Sequence, residues 1–167
     1  MELKQALERL NKNREYKDLI KENNGIFFSY ALVTIEKNET SPWQLGFYNK
    51  STDKITTFII GKKEIAVQKD EEVFKKPGME VKPIDMEKAK LKFNEMIKKA
   101  EKFKKEEYPK EAISKTIAIL QNLQGFGTIW NITFVTDSFK TLNLKINAEN
   151  SKILHHNLES IMDFVKK

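Results

Sequence analysis

The chain has 167 residues, no cysteine, 32% charged residues and a net charge of +6. That length suits one ordinary domain or two small ones. The missing thiol excludes a disulfide framework, thiolate metal sites, iron–sulfur clusters and cysteine nucleophiles. No apolar run approaches the roughly 20 residues of a membrane-spanning helix.

Residues 3–22 read as a helix, because Leu3, Ala6, Leu7 and Leu10 recur at helical spacing. Tyr16, Leu19 and Ile20 follow with a slight change of phase, and Asn23-Asn24-Gly25 is a fitting stop. The start, Met1-Glu2-Leu3-Lys4, has no apolar leader and points to the cytoplasm; with a leader removed, the same chain would be extracytoplasmic. Residues 26–36 (IFFSYALVTIE) are aromatic and β-branched on both alternating faces, which predicts a well-covered strand. After the turn cluster 38–42, residues 43–49 (WQLGFYN) put Trp43, Leu45 and Phe47 on one face and Gln44, Gly46 and Tyr48 on the other. A turn at 50–53 leads to a strand over 54–60, and Gly61-Lys62-Lys63 reverses into a short strand at 64–68. Residues 69–82 are charged, with a turn at Pro77-Gly78.

Asp85 is a candidate N-cap for a helix over 86–106 with the stripe Ala89, Phe93, Met96, Ile97, Ala100 and Phe103. Residues 113–121 fit either a helix or a strand. Residues 128–137 and 139–147 form a hairpin, Ile153-Leu154 suggests one more short strand, and 158–165 close the chain as a helix.

An internal repeat bears on the ambiguous segment. At an offset of 87 residues Trp43 falls on Trp130, Phe47 on Phe134 and Ser51 on Ser138, and the helical stripes and alternating strands align. On that register 113–121 is a strand. Each half then reads as a helix followed by antiparallel strands, giving an α+β protein of two tandem helix-plus-sheet repeats, 1–84 and 85–167. Units this small are marginal alone, so a shared core or a continuous sheet is expected.

The stretch from Trp130 to Leu154, with its W-x-I-x-F hairpin and the turn Ile146-Asn147-Ala148-Glu149-Asn150-Ser151-Lys152-Ile153, resembles the PepSY domain and its PepSY-like relatives. Asn147 stands where the family has Asp, and Asn150-Ser151 where it has Thr-Gly. The resemblance covers about 110–156, and 1–68 only through the internal repeat. Tandem β-lactamase-inhibitor-like proteins share the same helix-plus-sheet unit. What the resemblance implies is a non-catalytic module that binds or inhibits other proteins.

The residues offer little chemistry. His155 and His156 are adjacent and would face opposite sides of a strand, so they cannot grip one metal together. No nucleophile motif is present, and Gly125-Phe126-Gly127 lacks the rest of a phosphate loop. No catalytic residue, cofactor or metal ligand is expected. Residues 82–110 carry ten lysines against six acidic residues. The chain's only arginines are Arg9 and Arg14, which argues against nucleic-acid binding and for a solvated helix face.

Trp43 and Trp130 suit core anchors. Tyr30, Tyr48 and Phe58 suit an aromatic platform on the open sheet face, able to take a protein or peptide partner. Two rival readings remain: a cystatin-like fold whose helix and sheet enclose a small-molecule or catalytic pocket lined by Trp43 or Trp130, and a lysine-rich nucleic-acid-binding protein. Homodimerisation through a free strand edge is also open.

Overall fold

The aromatic and β-branched run is strand β1 (Ile26–Glu36) of a computed structural model that describes residues 1–165. β1 runs antiparallel to β3 (Trp43–Asn49) on one side and to β6 (Ile113–Leu123) on the other, so the sheet continues unbroken from one half of the chain into the other. Beyond β3 lie β4 (Lys54–Ile60) and β5 (Ile65–Glu72). Beyond β6 lie β7 (Gly127–Thr136), β8 (Lys140–Asn147) and β9 (Ile153–Ser160). The spatial order is β5-β4-β3-β1-β6-β7-β8-β9, and a two-residue β2 (Glu39–Thr40) folds back on the end of β1. The protein is α+β, and its described residues form an open antiparallel sheet of nine strands.

The offset of 87 residues recurs in this pairing. β6 begins at Ile113, 87 residues after β1 begins at Ile26. Leu32 pairs with Ile119, its own counterpart at that offset, and the pairs Ala31↔Leu120 and Val33↔Ala118 exchange under it. A pseudo-twofold axis therefore passes through the sheet between Leu32 and Ile119.

Helices α1 (Leu3–Leu10), α2 (Arg14–Glu22) and α3 (Phe93–Glu107) cover one face. Alternation sends Ala31, Val33, Trp43, Leu45, Phe58 and Ile60 from the first half to that face, with Leu120, Trp130, Ile132, Phe134, Leu142 and Leu144 from the second. The helices return Ala6, Leu10, Phe93, Met96 and Ala100, all buried. Each large side chain so buried contributes about 1.5–3 kcal/mol relative to leaving it exposed. The tryptophans are 1% exposed with ring centroids 6.3 Å apart, and Phe93 packs on both. Trp43 Nε1 donates to the Met1 carbonyl and Trp130 Nε1 to the Leu91 carbonyl. The two halves thus share one core around an aromatic cluster.

Several boundaries differ from the sequence reading. The helix expected over 3–22 is two. Asn13 Oδ1 accepts from Tyr16 N–H and starts α2 anew, which accounts for the change of phase after Leu10. The helix expected to begin near Asp85 begins at Phe93. Asp85 caps only a turn, accepting from Glu87 and Lys88 N–H. Leu91 gives its N–H to the Ala148 carbonyl and its carbonyl to Trp130, so its backbone is not free for a helix. Both edge strands are longer than expected, and β9 replaces the first residues of the predicted last helix, leaving α4 as Ile161–Val165.

Candidate functional site

Among the described residues, the centre of the sheet face opposite α1, α2 and α3 carries no packed layer. That centre is aliphatic: Leu32 stands opposite Ile119, and Thr34 opposite Ile117. All four are half-buried by their strand neighbours alone. Asn131 and Thr133 on β7, Asn143 on β8 and Gln44 on β3 surround this centre with hydrogen-bonding side chains. Lys145, opposite Asn131, donates to Asn143 Oδ1 at 2.9 Å, and Lys115 pairs with Glu36 at 3.7 Å.

Towards the first half the face becomes aromatic. Tyr30 lies flat over Gly46, where an added Cβ would fall 2.0 Å from Tyr30 Cε1, so the glycine makes room for the ring. The Tyr30 hydroxyl lies 2.8 Å from Thr57 Oγ1, and that hydroxyl lies 2.7 Å from Glu71 Oε2. The chain of contacts crosses from β1 to β5. Burial raises the Tyr30 pKa above its ordinary value, and the nearby Glu71 charge adds to the rise while the Thr57 bond opposes it.

Tyr48 packs against Phe27 and donates to Asp53 Oδ1 at 2.6 Å. The bond to Asp53 raises the Tyr48 pKa. Lys75, from the segment after β5, donates to the same Asp53 oxygen at 2.8 Å. These bonds from Lys75 and Tyr48 hold the Asp53 carboxyl below the usual carboxylate range, and Asp53 in turn raises the Lys75 pKa. The segment 73–82 skirts this end of the face, encloses a cleft of about 720 Å³ over Tyr30 and Ile55, and is tied down by the bridge Lys82↔Asn122.

The structure places the three aromatic candidates differently. Tyr30 and Tyr48 are on the open face. Tyr48 is only 6% exposed, covered from one side by Phe27 and approached by Lys75, whose Nζ lies 5.8 Å from its ring centroid. Phe58 is not on that face. It pairs with Leu45, packs edge-on against Tyr16 and Phe47 beneath α2, and is 1% exposed. Partners directly across a sheet share a face, so the placement of Leu45 beside Trp43 already assigned Phe58 to the core. The sequence reading also passed over Leu32, Ile117 and Ile119. Their signal is the apolar alternation on both faces of 26–36, which reads as a covered strand, and of 113–121, which fits either a helix or a strand.

Other candidates are dispersed. His155 lies near Phe126 on the open side, whereas His156 faces α3, where its Nδ1 lies 2.6 Å from the Tyr108 hydroxyl. Among the described residues no three His, Asp or Glu groups stand close enough to hold a metal ion. No described helix is long and apolar enough to cross a membrane.

No family model matches the chain, and no curated protein matches it. Among solved structures it is similar to the crystal structure of a "putative lipoprotein" from Clostridium difficile 630, with a TM-score of 0.53 and 12% identity over 87% of this chain and 88% of that one. At that identity the likeness concerns the fold alone.

Proposed function

We propose that this chain is a non-enzymatic binding or regulatory module of the PepSY-like, β-lactamase-inhibitor-like kind, and that it takes a protein or peptide partner on its open sheet face. The observation that carries the reading is the composition of that face: an aliphatic centre at Leu32, Ile117 and Ile119, framed by Asn131, Asn143, Gln44 and Tyr30. An apolar centre inside a hydrogen-bonding rim is the anatomy of a protein interface. The partner fitting it presents apolar side chains among polar groups that can meet the rim amides and Lys145. The two carboxylates with lowered pKa, Asp53 and Glu111, are each held by a lysine at 2.8 Å, an ion-pair arrangement and not that of a poised general base. The solved neighbour, described as a lipoprotein, supports an extracytoplasmic protein, with a cytoplasmic one as the alternative.

The test is selection of displayed random peptides against the folded chain. The selected peptides are expected to lose at least tenfold in affinity for Leu32→Asp and for the gentler pair Thr34→Lys and Thr133→Lys, and to keep it for Lys98→Glu on α3. Peptides indifferent to the open-face variants would refute the reading.

A further inference from the structure

On the opposite side of the sheet the helical layer is incomplete. The first turns of α1 and the irregular segment 86–92 approach each other without meeting, and between them lies a cavity of about 520 Å³. That is within the range of small-molecule sites, roughly 300–1,000 Å³. Its walls are Leu3, Leu7 and Leu91, all half-buried, and beneath them lie the core residues Trp130 and Leu120, each 1% exposed. The walls are set by features already described. Leu91 is held by its bonds to Ala148 and Trp130, and α1 is fixed by Ala6 and Leu10 in the core. The cavity is thus built on anchored elements.

The rim is cationic. Lys4, Lys90 and Lys92 line it beside a single acid, Glu2. Glu2 donates its backbone N–H to Gln5 Oε1 at the start of α1, and Lys90 reaches Glu149 at 3.0 Å. Lys4 and Lys92 make no ion pair among the described residues. With Lys4 and Lys92 set against the one carboxylate of Glu2 the rim keeps an excess of positive charge, and an apolar well with such an edge is complementary to a molecule with an apolar body and one negative end.

We propose that this cavity binds a small amphipathic carboxylate, its hydrocarbon body against Leu3, Leu7 and Leu91 and its carboxylate at Lys4 and Lys92. The site is separate from the open sheet face and stands whether or not that face binds a partner. Burial of the body supplies the affinity and the two lysines select the anion.

Sodium decanoate, kept below its micelle concentration, is the probe, titrated into the full 15N-labelled chain. Saturable shifts are expected at the amides of residues 2–7 and 86–93 and at the Trp130 indole N–H. Decanol, equal in length and uncharged, is expected to bind at least tenfold more weakly. Lys4→Glu with Lys92→Glu should weaken decanoate at least tenfold, with the rest of the spectrum showing an unchanged fold. Ala89→Phe, which narrows the cavity from its wall, should weaken both ligands. Phosphatidylglycerol vesicles should leave the protein in the supernatant after sedimentation. The proposal is overturned if the shifts fail to saturate, if they map to Leu32 and Ile119, if decanol binds as well as decanoate, or if the protein sediments with vesicles and ignores free decanoate.

Discussion

Tyr48 and Phe58 stand on paired strands and face opposite sides of the sheet, and the difference decides what each is worth. Phe58 fills the core beneath Tyr16, so Phe58→Ala is expected to cost about 3–5 kcal/mol, read from urea unfolding midpoints. A cost below 1 kcal/mol would contradict its burial. Tyr48 and Lys75 converge on Asp53, whose carboxyl is held low by both. A carboxylate with a depressed folded pKa contributes stability that is full above its unfolded value, about 4, and is lost as pH falls through the folded one. Asp53→Asn should therefore flatten the acid limb of the stability curve below about pH 4 and leave the slope at neutral pH unaltered. Glu111, held low by Lys140 and Ser138, acts in the same direction, so the double substitution should flatten the limb further. Gly46→Ala forces the Tyr30 ring off its seat. A double-mutant cycle with Tyr30→Ala should show strong coupling, whereas additive losses would mean the ring does not rest there.

Elements were legible from the sequence where local pattern decides and illegible where a distant partner does. β3 and β4 lie at the predicted residues because Trp43, Leu45 and Phe47 alternate cleanly and turn residues bound both strands. The start of α3 was hidden, since Ala89 has stripe spacing yet sits in a loop whose backbone answers to Ala148 and Trp130. The end of β9 was hidden too: its start at Ile153-Leu154 is legible, but Leu158-Glu159-Ser160 reads as a helix start and is pulled into the sheet by pairing with β8. The division between α1 and α2 rests on one side chain. Asn13→Ala removes the bond to Tyr16 N–H and should cost about 1 kcal/mol, with Asn13→Ser retaining most of the stability. The open face was legible as alternation, but its aliphatic centre was not, because sequence cannot say which of two apolar faces lacks a covering layer.

At the scale of the whole molecule, β1 and β6 are central strands only because each borders the other. Expressed alone, residues 1–84 would end in an edge at β1, and 85–167 in an edge at β6, each exposing apolar side chains and unpaired backbone groups. Neither piece is expected to show a cooperative thermal transition as a monomer, whereas the full chain should unfold in one. Calorimetry of the three chains checks this, and two separable transitions in the full chain would contradict a shared core.

The axis between Leu32 and Ile119 has a further consequence. A seam in which a residue meets its own counterpart is the isologous contact of a symmetric homodimer, here closed within one chain. In such a dimer every substitution at the contact is made twice, so each change must suit itself. Covalent linkage lifts that condition: Leu32 can face an isoleucine, and Ala31 can face Leu120 while Val33 faces Ala118. One half is thereby free to acquire a surface the other does not copy, while the pairing that holds them together keeps its twofold plan.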